Sequence, residues 1–116
     1  MAERREVREE ELILANHLIQ LGGENPSDFE LPTMVDDYEN GKMGSINFTP
    51  PEKSPYKGDI IQVIYRDIDS VPVVITLTKS ESNEILDMDF WKKDFSKLQQ
   101  YPKPEDVQVF NNNGLV

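Results

Sequence analysis

The first regular pattern in the chain is helical and lies between residues 7 and 21. Apolar side chains recur there at steps of three and four residues, the spacing that places them on one side of a helix. Gly22 and Gly23 follow at once and supply a common helix stop signal. The pattern predicts one helix over residues 7–21. Its apolar positions are Leu12, Leu14, Ala15, Leu18, Ile19 and Leu21.

Alternation of apolar and other residues, the period of a β-strand, dominates the middle of the chain. It is strongest over residues 60–66 and 71–78, which are separated by a turn signal at 67–70. A further strand pattern covers residues 84–91. These three segments predict an antiparallel meander with one clear core face.

Two weaker strand patterns flank Asn40-Gly41, a pair typical of tight hairpin turns. They cover residues 31–38 and 44–48. Together the elements predict an α+β fold, an N-terminal helix packed on an antiparallel sheet of about five strands. We expect residues 1–110 to form a single domain and residues 111–116 a flexible tail.

The sheet face away from the helix is not fully polar in this arrangement. Alternation places four apolar residues on it, namely Ile60, Ile64, Val74 and Ile85. These side chains need cover, from the C-terminal segment, from the proline-containing loop at residues 49–58, or from another subunit. A homodimer is therefore one of the predicted arrangements.

The net charge of the chain limits the classes of molecule that it is expected to bind. The 116 residues carry a formal net charge of −10, with 22 acids against 12 bases. Such a field repels phosphate backbones and anionic lipid heads, so neither nucleic acid nor membrane is an expected partner. A basic protein fits better. No apolar run approaches the roughly 20 residues of a membrane span. The absence of cysteine excludes disulfides and fits a cytoplasmic location.

The strand at residues 84–91 carries the main candidate site. Alternation places Asp87, Asp89 and Trp91 on one face and the apolar residues between them on the other. The simpler interpretation is a solvated acidic face, with Trp91 closing one end of the core. The alternative is a binding site made by Asp87, Asp89, Trp91 and Lys92, although Lys92 and Lys93 are expected to be a solvated pair.

For the other candidate ionisable residues, a structural role in the predicted fold is the simpler interpretation. Asp67 and Asp69 are expected to cap their own turn, and they lack the glycine and distal glutamate of a calcium loop. His17 is expected on the helix surface, where nothing directs a serine towards it. Neither a metal nor a cofactor is predicted. Further aromatic anchors are available at Tyr38, Tyr56, Tyr65 and Tyr101.

The chain resembles a family of small bacterial single-domain proteins of unknown function. The resemblance rests on residues 41–45, on Asp-Ile-Asp-Ser-Val-Pro-Val at 67–73, and on Leu-Asp-Met-Asp-Phe-Trp-Lys-Lys-Asp-Phe-Ser at 86–96, followed by Tyr101-Pro102. It implies a shared fold and no activity. Where the family usually carries Asp-Gly in the middle hairpin, this chain has Asp69-Ser70. In size and charge the chain also resembles bacterial immunity proteins, which bind a toxin.

The leading functional prediction is therefore a non-enzymatic module that binds a protein through Asp87, Asp89 and Trp91. The first alternative is a small hydrolase or metal-dependent enzyme that uses Asp87 and Asp89, with Asp67 and Asp69 as further carboxylates. A deep pocket joining the two pairs would favour the enzyme. The second alternative is a structural homodimer that pairs through the second sheet face.

Overall fold

The computed structural model of the chain describes residues 4–38, 42–49 and 55–110. Within these ranges one α-helix, α1 (Glu9–Leu21), lies against an antiparallel sheet of seven strands. The strands in chain order are β1 (Arg4–Glu6), β2 (Met34–Asp37), β3 (Ile46–Asn47), β4 (Tyr56–Arg66), β5 (Pro72–Ser80), β6 (Ile85–Lys92) and β7 (Val107–Val109). Single 3-10 turns occupy Pro26–Asp28 and Pro104–Asp106.

The strands lie in the order β1-β2-β3-β6-β5-β4-β7, and each neighbouring pair is antiparallel. The predicted α+β fold with an N-terminal helix on an antiparallel sheet is confirmed. The predicted count of about five strands was too low, because alternation cannot be recognised in very short segments. The two strands that were missed, β1 and β7, have three residues each and form the sheet edges.

The ends of α1 are set by two local contacts. The Glu11 side chain accepts the Arg8 backbone N–H at 2.8 Å, which satisfies a donor ahead of the first turn. The helix therefore begins at Glu9, slightly later than predicted. It ends at Leu21, and on the next residue, Gly22, an added Cβ would lie 2.5 Å from Ile60 Cγ2. Glycine at this position lets the helix end approach β4 closely.

The core lies between α1 and the inner face of the sheet. Most of the predicted apolar stripe lies on the buried side of the helix, but Leu12 is half-buried and Leu21 is 38% exposed. Every second residue of β4, β5 and β6 meets this side of the helix. The central members of this cluster are Leu14, Leu18, Ile19, Val63, Val73, Ile75, Leu77, Met88 and Phe90. Regular alternation along three long strands therefore builds one apolar face, as the sequence predicts.

The outer face of the sheet is less apolar than predicted. Register shifts in the β4–β5 and β5–β6 pairings bring Ile60 against the core and bury Ile85 within it. The prediction that these two residues need separate cover was therefore wrong. Ile64 and Val74 are half-buried and pair directly with each other, and Val74 also pairs with Trp91. A short apolar row remains on the outer face.

Arg5 joins three elements near the start of the chain. Its guanidinium donates to Glu11 at 2.7 and 3.0 Å and to Asp37 at 2.8 and 2.9 Å. Glu11 is only 1% exposed, so the ion pair compensates a buried charge. The hydrogen bond from Arg5 lowers the pKa of Asp37. This cluster fixes β1 against both β2 and the start of α1.

The turn between β4 and β5 keeps the conformation that glycine favours, although it carries serine. Ser70 has a φ of 69°, and its N–H donates to the Asp67 carbonyl at 2.8 Å. Asp67 and Asp69 each accept a backbone N–H within the turn, from Ile68 and Val71. The predicted capping role of the two aspartates is therefore confirmed.

Several predictions fall outside the described residues: the Asn40-Gly41 turn, residues 50–54 of the proline-containing loop, and the tail at 111–116. The described end of that loop belongs to β4, which begins at Tyr56 rather than at residue 60. In the described ranges no helix combines the length and apolarity that crossing a membrane requires.

Candidate functional site

Strand β6 divides the predicted site residues between its two faces. Asp87, Asp89 and Trp91 pair across the outer face, with Asn47 of β3 and with Thr76 and Val74 of β5. Alternation turns Lys92 to the inner face, where its side chain is 0% exposed. The structure therefore brings three of the four predicted residues together and removes the fourth from the surface.

Asp87 occupies a half-buried position on this face. Its Oδ1 accepts the Thr78 hydroxyl at 2.6 Å, and its own N–H donates to the same hydroxyl oxygen at 3.3 Å. Burial raises the pKa of Asp87, and the neighbouring Asp89 and Asp59 raise it further against the opposing effect of the Thr78 hydrogen bond. The Thr78 hydroxyl therefore holds the Asp87 carboxyl in place, and burial makes its ionisation less favourable than in water.

Asp89 is exposed and is oriented by Ser45. The Ser45 hydroxyl accepts the Phe90 N–H at 2.7 Å, and its proton can reach either the Phe90 carbonyl at 3.1 Å or Asp89 Oδ1 at 3.2 Å. Sequence reasoning missed Ser45, because its partner is 44 positions away in the chain. Asp89 Oδ2 accepts no hydrogen bond from the described residues.

Three exposed aromatic side chains line the same cleft as Asp89. Tyr38, Trp91 and Phe95 are 53%, 45% and 59% exposed. The Trp91 and Phe95 rings lie 5.9 Å apart between centroids and are nearly perpendicular, with an interplanar angle of 81°. With Asp89 and Met43 they line a cleft of about 230 Å³, which we call the aromatic cleft.

A second cleft adjoins the aromatic cleft along β3. It has a volume of about 220 Å³ and is lined in part by Asp87 and Asn47, and it shares Tyr38, Ser45 and Asp89 with the aromatic cleft. Neither cleft includes Asp67 or Asp69 among its lining residues. Neither of these two clefts therefore joins the two acid pairs, as an enzyme that used all four carboxylates would require.

Phe95 projects from an unusual turn after β6. Its φ is 61°, a region that a bulky residue rarely adopts, and its N–H donates to the Lys92 carbonyl at 2.9 Å. Asp94 accepts the N–H and the hydroxyl of Ser96 at 3.0 and 2.6 Å, and these bonds lower its pKa. Sequence reasoning missed Phe95, although an acid two residues before a serine signals such a turn.

Lys92 is the centre of a buried ion cluster. Its ammonium donates to Asp67 at 2.9 Å, to Asp69 at 2.5 Å and to the Lys97 carbonyl at 2.9 Å. Burial lowers the pKa of Lys92 less than the carboxylates of Asp69 and Asp67 raise it. The prediction of a solvated lysine pair was wrong for Lys92 and correct for Lys93, which is exposed.

Asp67 connects this cluster to the C-terminal segment. Besides Lys92, it accepts the backbone N–H groups of Gln99 at 2.7 Å, Ile68 at 2.8 Å and Gln100 at 3.1 Å. Burial alone would raise the pKa of Asp67, but these bonds and the ammonium of Lys92 lower it. The acids at 67 and 69 are thus used to hold the fold.

The remaining ionisable candidates give no catalytic arrangement. Within residues 4–38, 42–49 and 55–110, no three His, Asp or Glu side chains are grouped so that they can hold a metal ion. His17 is half-buried on α1, on the opposite side of the sheet from Asp87 and Asp89. Of the other tyrosines, Tyr65 is buried, and Tyr101 packs against the core beside Phe90. Tyr56 is exposed.

A third cleft, of about 350 Å³, lies near the start of α1. Its lining carries both signs of charge, from Arg8, Glu10, Glu11, Asp37 and Lys97. The most buried of these acids already pair with Arg5. The cleft therefore presents no single-sign field to a charged ligand, unlike the surface around Asp89.

A family model described as a domain of unknown function, DUF6984, matches residues 4–102. This match covers α1, strands β1 to β6 and the turn that carries Phe95. No curated protein and no solved structure matches the chain.

Proposed function

Because the chain belongs to the DUF6984 family, whose description names no activity, we propose a function from the surface of the molecule itself. We propose that the protein is a non-enzymatic interaction module that binds a basic protein. Its binding site is the outer sheet face formed by Tyr38, Asp87, Asp89, Trp91 and Phe95, which we call the acidic aromatic surface.

The observation that carries this proposal is the exposure of three aromatic rings around one carboxylate. Each ring is about half exposed or more, and two of them are in direct contact. Aromatic residues are enriched among the residues that dominate binding energy at interfaces, because they bury a large area with few rotatable bonds. Next to these rings, Val74 and Ile64 extend the apolar contact area across β5 and β4.

Charge supports the choice of a basic partner. The net charge of −10 attracts a cationic protein from a distance, and Asp87 and Asp89 concentrate negative charge beside the rings. Among the described residues, no lysine or arginine lines either cleft that contains Asp89. The surface therefore combines steering charge with apolar anchors.

A carboxylate-based hydrolase is the second candidate, and the raised pKa of Asp87 favours it. A hydrolase of this type requires a second carboxylate that acts on the same scissile bond, and Asp89 is the nearest candidate on β6. Purified protein incubated with a panel of glycoside and ester substrates tests this function. Turnover that disappears in Asp87→Asn would replace the binding proposal with the enzymatic one.

Affinity capture from a lysate of the source organism tests the binding proposal. The native protein is compared with an Asp89→Asn, Trp91→Ala variant, and captured proteins are quantified by mass spectrometry. We expect a partner that is enriched by the native protein and lost by the variant. Purified partner is then titrated in a calorimeter, where the variant is expected to weaken binding at least tenfold, about 1.4 kcal/mol.

The matched control is Glu9→Gln, Ile13→Ala, which removes one acid and one exposed apolar side chain from α1, on the other side of the sheet. It should capture and bind the same partner as the native protein. Equal loss in both variants, or no loss in either, would place the interface elsewhere. Circular dichroism confirms that each variant is folded.

A further inference from the structure

Resting on the proposed function, we propose that the aromatic cleft binds the guanidinium group of one arginine side chain of the partner, with Asp89 as its counter-ion. The partner would insert this side chain between Tyr38, Trp91 and Phe95. The remaining area of the acidic aromatic surface would contact the residues on either side of the arginine.

The size of the cleft fits one side chain. Sites for drug-sized ligands usually have volumes of about 300–1,000 Å³, whereas the aromatic cleft has about 230 Å³. It is also open on the outer sheet face, since all three rings are substantially exposed. A side chain delivered by another protein matches this shape better than a free metabolite.

The arrangement of the rings suits a flat cation. Because Trp91 and Phe95 are nearly perpendicular, they form a corner rather than a closed stack. A cation that lies over the face of either ring is attracted by its negative quadrupole, most strongly for tryptophan. Tyr38 contributes a third aromatic wall to the same cleft.

Asp89 provides the matching charge. Ser45 reaches Oδ1 at 3.2 Å, a long hydrogen bond that orients the carboxylate, while Oδ2 accepts none from the described residues. A guanidinium group presents parallel N–H donors to a carboxylate and can stack on an aromatic ring at the same time. The ammonium of lysine makes the charge contact without the stacking plane, which favours arginine.

The backbone at Phe95 supports a functional role for its ring. A φ of 61° for a bulky residue costs free energy, and its exposed side chain recovers little of that cost by burial. The turn built by Lys92, Asp94 and Ser96 nevertheless holds this conformation. Strained residues of this kind concentrate at ligand-binding positions.

The single tryptophan of the chain gives a direct probe. In ¹H–¹⁵N correlation spectra, the indole N–H of Trp91 is a unique resonance. The full-length protein is titrated with acetyl-arginine-amide, with the neutral acetyl-glutamine-amide, and with tetramethylammonium chloride at matched ionic strength. We expect acetyl-arginine-amide to move the Trp91 indole resonance saturably at millimolar concentration.

Two variants test the residues named. Asp89→Asn should weaken the arginine response about tenfold, because a charge-assisted hydrogen bond is lost. Phe95→Ala should weaken it by about threefold to fivefold, as expected for one exposed cation–π contact. Glu9→Gln carries the same charge change as Asp89→Asn on α1 and should leave the response unchanged. Spectral dispersion shows whether each variant is folded.

The proposal is overturned if the indole resonance does not shift saturably, if the neutral amide produces the same shift, or if Asp89→Asn and Glu9→Gln weaken the response equally. Stronger binding of tetramethylammonium would overturn the assignment to arginine. Failure of the arginine-binding proposal can be distinguished from failure of the proposed function. A partner captured through Asp89 and Trp91 without an arginine response leaves the interaction module intact.

Discussion

Trp91 and Lys92 are adjacent in the chain and have opposite environments. The indole lies on the outer sheet face, whereas the ammonium is fully enclosed on the inner face with Asp67 and Asp69. The alternation of a strand requires this difference between neighbours. The sequence does not reveal that a charged residue takes this inner position, because its two carboxylate partners are more than 20 positions away.

The first prediction concerns the ion pair of Lys92. Lys92→Met removes the cation and leaves the Asp67 carboxylate buried with backbone donors alone. Breaking a buried pair from one side is strongly destabilising, so Tm should fall by roughly 10 °C or more. Differential scanning calorimetry at pH 7 measures the change.

Lys93→Met is the matched control, since Lys93 is exposed and directly follows Lys92. It should change Tm little. Adding Asp67→Asn to Lys92→Met should recover part of the lost stability, because the unpaired charge is then gone. Equal losses for the two lysine variants would show that the buried cluster adds nothing to stability.

The second prediction uses the pH dependence of Asp87. Its pKa is raised in the folded protein by burial first and by neighbouring acids second. Ionisation therefore costs more in the folded than in the unfolded state, and the cost develops as pH rises above the unfolded value of about 3.9. Asp87→Asn should raise Tm at pH 7, and the gain should vanish below pH of about 4.

Thermal unfolding of both proteins across this pH range measures the effect. Glu84→Gln, an exposed acid one residue before β6, serves as the control and should show no pH-dependent gain. A gain for Asp87→Asn that is the same at low and neutral pH would mean that ionisation of Asp87 does not destabilise the fold.

At the level of elements, the long strands and the helix were predictable because each repeats one period over many residues. The stripe of α1 and the alternation of β4, β5 and β6 needed no tertiary information. The strands β1 and β7 were not predictable, since three residues define no period. The side chain of Arg5 ties β1 to Glu11, six positions away, and to Asp37, 32 positions away.

Bulges explain the error on the outer face. One register shift is enough to exchange the two faces of a strand, so Ile60 and Ile85 moved to the core side although the alternation itself was read correctly. For the candidate site, Asp87, Asp89 and Trp91 were predictable from β6 alone. Tyr38, Ser45 and Phe95 join them from other elements, which a single strand pattern cannot show.

The third prediction concerns the turn that follows β6. Phe95→Ala removes the ring and keeps a side chain at a positive φ, whereas Phe95→Gly removes both the ring and the strain. The glycine variant should be more stable than the alanine variant by about 1 kcal/mol, the usual cost of this conformation for an L-residue. Urea unfolding of the two variants gives the difference directly.

Both variants lose the contact between Phe95 and Trp91, so comparing them cancels the contribution of the ring. Both should also bind acetyl-arginine-amide more weakly than the native protein. Equal stability of the glycine and alanine variants would show that the turn is not strained, and would remove one support for a binding role of Phe95.

Two features of the whole molecule have opposite effects on self-association. The excess negative charge opposes it, and the apolar row on the outer sheet face favours it. Trp91, Val74 and Ile64 could pair with a second copy. A two-fold contact on this face would also bring Asp87 and Asp89 of both copies together, within a pair of molecules of charge −10 each. We therefore expect electrostatic repulsion to prevent the homodimer.

The last prediction follows from this balance. Light scattering at about 0.1 mM protein, pH 7 and low salt should give the mass of one chain, because at low ionic strength the charge is poorly screened. Asp87→Asn, Asp89→Asn removes two like charges from the face and should be the variant most prone to dimerise. Adding Trp91→Ala should restore the monomer, since it removes the largest apolar side chain of the row. A native dimer that dissociates with Trp91→Ala would instead show that the face is a self-interface, and that a second copy of the chain competes there with any basic partner.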